Sequence, residues 1–392
     1  MPIESLRRAL SLSAVLLACA LCAACGDRLR PVSHSPAGAY EAALVPYAGG
    51  VAVAWYDTRD GNAEIYMRLL DGIGRPAGPE RRLTNGAEDS YEPSLAVAGS
   101  SLAVAWYDKS PGGTLTAKLG TWNRDGSARW VQALGTHTRN PVVRSDGSGL
   151  FAAWIQREPD GSEAVWAGFW TADGMPWSPA RRLAPASATT WNLNAALYAP
   201  SKALIAFDAV AGTRSSELFL AFADASGASV VRRLTADDGR ESKFPDVAVG
   251  ERRIAITWYD ARSGNDEVYL FTADVFELLP AAGDPQAIDD RARRLTETPG
   301  QTMGAYAAWR GSRLAVSWSD DSGGQHDVYL QQFDERGQPR GAAMRLTYTA
   351  AASLAPAIQA SDRGFALAWN EYASAGDGSA RSRVVVYLAG GQ

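Results

Sequence analysis

An apolar segment ending in an aromatic residue occurs seven times along this 392-residue chain. It reads VAVAWYD at Trp55, LAVAWYD at Trp106, LFAAWIQ at Trp154 and ALIAFDA at Phe207. It continues as IAITWYD at Trp258, LAVSWSD at Trp318 and FALAWNE at Trp369. The spacings are 51, 48, 53, 51, 60 and 51 residues. A period of about 52 held over seven copies marks an array of like units, none able to bury its apolar faces alone. Within a copy, Val51, Val53 and Trp55 face one way and Ala52, Ala54 and Tyr56 the other, the period of two of a strand.

Each period carries four strand-like pieces. In the first copy EAALVPYA (41–48) leads, the Trp segment follows, then EIYMRLLD and ERRLT. Asp60-Gly61-Asn62 and Gly264-Asn265 supply the residues that a tight turn needs. The fourth piece recurs as RRLT at 81–84, 232–235 and 293–296, RRLA at 181–184 and MRLT at 344–347. Four short antiparallel strands per unit, seven units and no helical stretch define an all-β fold, a single seven-bladed β-propeller.

The last copy ends in SRVVVYLAGGQ and lacks a fourth strand. Residues 28–46 align with 79–97, Ser33 falling on Thr84 and Tyr40-Glu41 on Tyr91-Glu92. Residues near 28–34 are therefore expected to close the last blade as its outer strand. The 60-residue spacing is expected to hold an extended loop, about 275–292, that projects from the rim away from any binding face.

The net charge of −5 and pI near 5.4 offer no basic field for nucleic acid. Cysteines occur only at 19, 22 and 25, and the histidines are His34, His137 and His326, so neither a disulfide framework nor a zinc cluster is expected. Arg7 and Arg8 precede ALSLSAVLLACALCAAC (9–25), a basic stretch and an apolar run that read as a secretory signal over 1–24. Its end resembles a bacterial lipobox, which implies lipidation at Cys25 and a propeller over 25–392. Cys22 stands where that motif usually has Leu, and simple cleavage is the other reading. Gly26 after the cysteine points to the outer membrane of the cell envelope.

EIYMRLLDGIGRPAGPERRLT and DVYLQQFDERGQPRGAAMRLT resemble the repeat of TolB-like propellers. The Trp-x-Asp strand followed by Gly-Asn resembles bacterial propeller lipoproteins grouped with sialidase-like folds. The resemblance covers about residues 28–392 and is one of scaffold. The α/β domain of TolB, the sialidase Asp-box, its Phe-Arg-Ile-Pro segment and its arginine triad are absent from the sequence. No activity is carried over.

The acids Asp57, Asp108, Asp260 and Asp320, with Gln156 and Glu371 in equivalent places, read as turn acceptors within their own blades. No catalytic residue is assigned, and whether the chain is an enzyme stays open, with binding the leading reading. Asp57, Asp60, Asn62 and Glu64 could be calcium ligands or turn residues; otherwise no cofactor and no metal is expected. The repeat arginines Arg82, Arg182, Arg233, Arg294 and Arg345 are expected to pair with neighbouring carboxylates.

Among the clustered tryptophans, Trp166 falls on Tyr66, and Trp122 and Trp170 on Leu70, all as blade packing; Trp177 finds no place. Trp191 falls with Tyr40 and Tyr91, just before an innermost strand, where other copies are read as Ser242, Met303 and Leu354. These three aromatics, with Arg59, Arg262 and His326, form the candidate ligand-binding face. The functional expectation is a membrane-tethered, non-catalytic, monomeric scaffold for an envelope protein or carbohydrate. The competing expectation is a sialidase-like glycoside hydrolase or lyase, which needs two non-equivalent acids at the channel mouth.

Overall fold

The computed structural model describes residues 29–183, 187, 189–278, 288–374 and 380–389. Cys25 and the leader expected at 1–24 lie outside the described residues. Seven four-stranded antiparallel sheets form, six of them in sequence order from inside to outside. Blade I spans 39–82, II 89–133, III 138–182, IV 193–233, V 242–294 and VI 302–345. Blade VII takes three strands from 352–388 and its fourth from Leu29–Pro31. Leu29 pairs with Tyr387, Arg30 with Val386 and Pro31 with Val385, so the outer strand expected near 28–34 closes the ring. Every innermost strand touches the next, around to blade I again.

The period of two explains the core. One face of each Trp strand packs on the preceding blade and the other on the following blade, giving an apolar cluster at each of the seven junctions. Alanines such as Ala52, Ala54, Ala103 and Ala105 are buried where sheets approach closely near the axis. The tryptophan placements hold: Trp166 pairs across from Trp154 as Tyr66 does from Trp55, and Trp170 from Leu150 as Leu70 does from Val51.

The acid ring is scaffolding. The indole N–H of Trp55, Trp106 and Trp258 donates to Asp57, Asp108 and Asp260 at 3.1, 2.7 and 2.8 Å. The same carboxylates accept the hydroxyls of Ser35, Ser90 and Ser242. A second buried carboxylate binds the Arg-Leu-Thr motif. Glu64 takes Arg82 at 2.7 Å and the Thr84 hydroxyl. Arg294 and Thr296 hold Glu267, and Arg345 and Thr347 hold Asp327, in the same way.

The insertion of blade V lies between its third and fourth strands, as expected, but its ends are tied in. Val275–Leu278 forms one helical turn, Val275 and Ile288 are buried, and Asp289 accepts from Arg262 at 2.7 Å. Residues 279–287, on which the expected projection from the rim falls, lie outside the described residues, while the described end at Asp289 returns to the hairpin of Arg262. An anion is needed there to balance the guanidinium, as Glu80 does for Arg59 at 2.6 Å.

Candidate functional site

The innermost strands begin beside the second-to-third-strand hairpins of the preceding blades. The N–H groups of Ser90, Ser242 and Ser353 donate to the carbonyls of Ala63, Ser216 and His326. The Asn62 side chain donates to the Glu88 carbonyl at 2.8 Å. Both sets of loops therefore open on one face, around one mouth of the central channel.

Six innermost strands start with a bulge whose extra residue is left-handed: Glu41 (φ 54°), Glu92 (51°), Asn140 (48°), Phe244 (53°), Gly304 (70°) and Ala355 (53°). The ladder shifts register at each of them. Left-handed backbone costs a non-glycine residue roughly 1 kcal/mol, and such strain gathers where function needs a side chain re-aimed. The sequence carried a signal for it. Glu92, Asn140, Phe244 and Ala355 each precede a proline, and proline inside a strand marks a bulge.

Strand pairing corrects one alignment. Tyr40 faces Tyr56 and Tyr91 faces Tyr107, and the matching places hold Arg139, Lys243, Met303 and Leu354. Ser242 instead pairs with Asp260, as Ala39 pairs with Asp57, so it is not the polar exception at the aromatic place. Blade IV has no bulge there, since Leu193 pairs with Phe207. Trp191 consequently lies one step outside its expected place, with 49% of its surface exposed. Its N–H donates to Asp208, and its carbonyl accepts from Arg139.

The two tyrosines belong to a continuous belt. Ring centroids lie 6.2 Å apart for Tyr372 and Tyr40, 5.0 Å for Tyr40 and Tyr56, 5.0 Å for Tyr56 and Tyr91, and 5.7 Å for Tyr91 and Tyr107. Glu41 and Glu92 sit against this belt, and the Glu92 N–H donates to Glu41 Oε2 at 3.2 Å. Glu41 keeps contact with water, yet the surrounding protein displaces most bulk solvent. That desolvation, with the Glu92 charge second, pushes its carboxyl up to about 8. Desolvation likewise pushes Glu92 up to about 7, against the pull of Arg139. Across the axis the Tyr306 phenol is raised first by burial, then by Asp246, Glu41 and Glu92. Phe244, 41% exposed and 5.6 Å from the Tyr259 ring, adds an aromatic from blade V.

The other expected site residues occupy different surroundings. Arg59 is bound by Asp57 and Glu80, each at 2.6 Å, and lies over the Tyr66 ring. Arg262 is bound by Asp260 and Asp289 and lies over Tyr269. His326 is half-buried under its hairpin, its Nε2 3.8 Å from Asp321. Trp177 stacks on Phe169 at 6.3 Å. The oxygens of Asp57, Asp60 and Glu64 are taken by arginine, hydroxyl and indole donors. Among the described residues, no group of three or more His, Cys, Asp or Glu is placed to hold a metal.

The sequence matches no protein-family model and no curated protein. Solved structures share the fold. The polysaccharide lyase Uly1 aligns with TM-score 0.55 and 12% identity over 91% of this chain and 92% of that one. The phage phi92 endosialidase aligns with TM-score 0.53 and 10% identity, covering 93% and 69%. An acylaminoacyl peptidase of Pyrococcus horikoshii aligns with TM-score 0.51 and 11% identity over 88% of this chain. This chain spans about half of that peptidase's length, 52%. The seven sheets make the chain a seven-bladed β-propeller, and its structural neighbours include a peptidase, an endosialidase and a polysaccharide lyase.

Proposed function

We propose that this chain is a non-catalytic binding scaffold of the bacterial cell envelope, held to the membrane by lipid at Cys25, that grips a glycan at its channel mouth. The observation that carries the reading is the tyrosine belt around Glu41 and Glu92, flanked by exposed Trp191 and Phe244. Aromatic faces stack on the apolar faces of sugar rings, and carboxyl groups accept or donate to hydroxyls. A concave mouth at the axis of a repeat fold is where such groups from distant segments converge.

The test is Trp191→Ala in the chain from residue 26 onward, assayed on a glycan array and by melting. Binding is expected to fall about tenfold, the loss of one aromatic contact of roughly 1.5 kcal/mol, with near-wild-type melting. A large drop in melting temperature, as truncation of a buried aromatic gives, overturns the assignment. Capture of an envelope protein by a surface insensitive to Trp191 would make the partner a protein instead.

One observation favours a second reading as a glycoside hydrolase or lyase. Glu41 and Glu92 differ in surroundings, and burial raises both carboxyls well above the ordinary glutamate value, as a general acid requires. Glycan cleavage by the wild type that is lost in Glu41→Gln and Glu92→Gln, with binding retained, would establish it.

A further inference from the structure

Blade IV departs from blades I and V at three linked positions. Blades I and V carry Trp55-x-Asp57-x-Arg59 and Trp258-x-Asp260-x-Arg262, indole bound to carboxylate and carboxylate to guanidinium. Blade IV reads Phe207-x-Ala209-x-Ala211. The register is unchanged, Phe207 lying opposite Phe219 as Trp55 lies opposite Tyr66. A cavity of about 240 Å³ is lined by Phe207, Ala209, Ala211 and Phe219, and Arg233 is at its wall.

Arg233 is also exceptional. It takes the place of Arg82, Arg294 and Arg345 in the ladder, opposite Phe219. Those three bind the buried carboxylates Glu64, Glu267 and Asp327. Blade IV keeps the carboxylate, Glu217, and the threonine, Thr235, but Glu217 is held by the hydroxyls of Ser215 and Thr235. Arg233 makes no hydrogen bond or ion pair among the described residues, and its Nε is buried without an acceptor. Burial pushes the Glu217 carboxyl up to about 7, in keeping with the missing cation. The other polar side chains of the lining, Ser187 and Thr190, bond each other at 2.8 Å.

We propose that this cavity between blades III and IV is a binding site for a small carboxylate with an apolar body. The ring or chain of the ligand fills the space of the missing indole, and its carboxylate pairs with Arg233. Charge complementarity selects the anion, since a guanidinium beside apolar walls is stabilised by a planar, bidentate acceptor. The volume lies below the roughly 300–1,000 Å³ of drug-sized pockets, which suits a one-ring acid. Its lining shares no residue with the proposed glycan site, and its test does not depend on that reading.

The experiment titrates the folded chain with 3-phenylpropionate and with 3-phenylpropionamide by calorimetry and ligand-observed NMR. The acid is expected to bind about tenfold tighter than the amide, the usual size of one charge-assisted hydrogen bond. Arg233→Gln should erase that difference and melt like the wild type, because it breaks no ion pair. Phe207→Trp should abolish binding by restoring the indole, and Ala209→Leu fills the same space if Phe207→Trp does not fold. Equal binding of acid and amide, or no binding of either, overturns the proposal. It is overturned too if Arg233→Gln lowers the melting temperature as much as Arg294→Gln, since Arg233 would then belong to the repeat ion pair.

Discussion

Glu41 and Glu92 show how a position fixed by backbone strain acquires its chemistry. A left-handed bulge residue projects where an ordinary strand residue could not, and here two carboxyls meet among tyrosines. An unfolded glutamate titrates near 4.5, whereas folded Glu41 does so near 8 and Glu92 near 7. Between those values the unfolded chain gives up protons that the folded one keeps, so stability falls as pH rises through the window and levels off above it. The expected result is a melting temperature that declines from pH 5 to pH 8. Glu41→Gln should make that decline shallower in scanning calorimetry without abolishing it, because Glu217, Asp208 and Asp246 are raised by burial too. Glu92→Gln should remove its own share and lower the Glu41 carboxyl by deleting its neighbour's charge. A melting temperature that rises over this range in the wild type would refute the desolvated pair.

At the scale of single elements, the three residues Leu29–Pro31 do more than their length suggests. They cover the outer edge of the strand Ala380–Leu388, Val32 is fully buried behind them, and the Val384 N–H donates to the Ser33 hydroxyl at 2.9 Å. Without them the last blade would present an unpaired edge, a template for pairing with another chain. Starting the chain at residue 36 should lower the melting temperature by several degrees, as losing about 1–2 kcal/mol does, and yield oligomers in gel filtration. Unchanged melting in a monomer would show that the closing strand is dispensable. This closure was legible because Ser33 stands where Thr84 stands, and the hydroxyl does the same kind of work in both places. The bulges were legible only in the residue-before-proline pattern, which periodicity alone passes over.

For the molecule as a whole, ring symmetry makes the exceptions informative. Six blades place an indole at the same point and blade IV does not; three blades pair their outer arginine and blade IV does not. The proposed tether also acts at this scale. Three residues separate Cys25 from Leu29 on the outer strand of blade VII, so a lipid there would hold the ring by its rim close to the bilayer. Metabolic labelling with a radioactive fatty acid should mark the wild-type chain and not Cys25→Ser, which should fractionate as soluble protein. Equal labelling of the two would exclude that attachment.

The sequence by itself determined the blade number, the closure, the inter-blade tryptophans and the structural task of the Trp-x-Asp acids. These follow from period-two burial and from repetition, which are properties of short stretches read one against another. Tertiary structure alone decided the bulges at Glu41 and Gly304, which precede no proline, the one-residue offset of Trp191, the convergence of five tyrosines on Glu41 and Glu92, and the cavity beside Arg233. Each depends on strands up to several hundred residues apart meeting at the axis or between blades. There desolvation and register, which no local pattern encodes, set what a side chain touches and which protons it keeps.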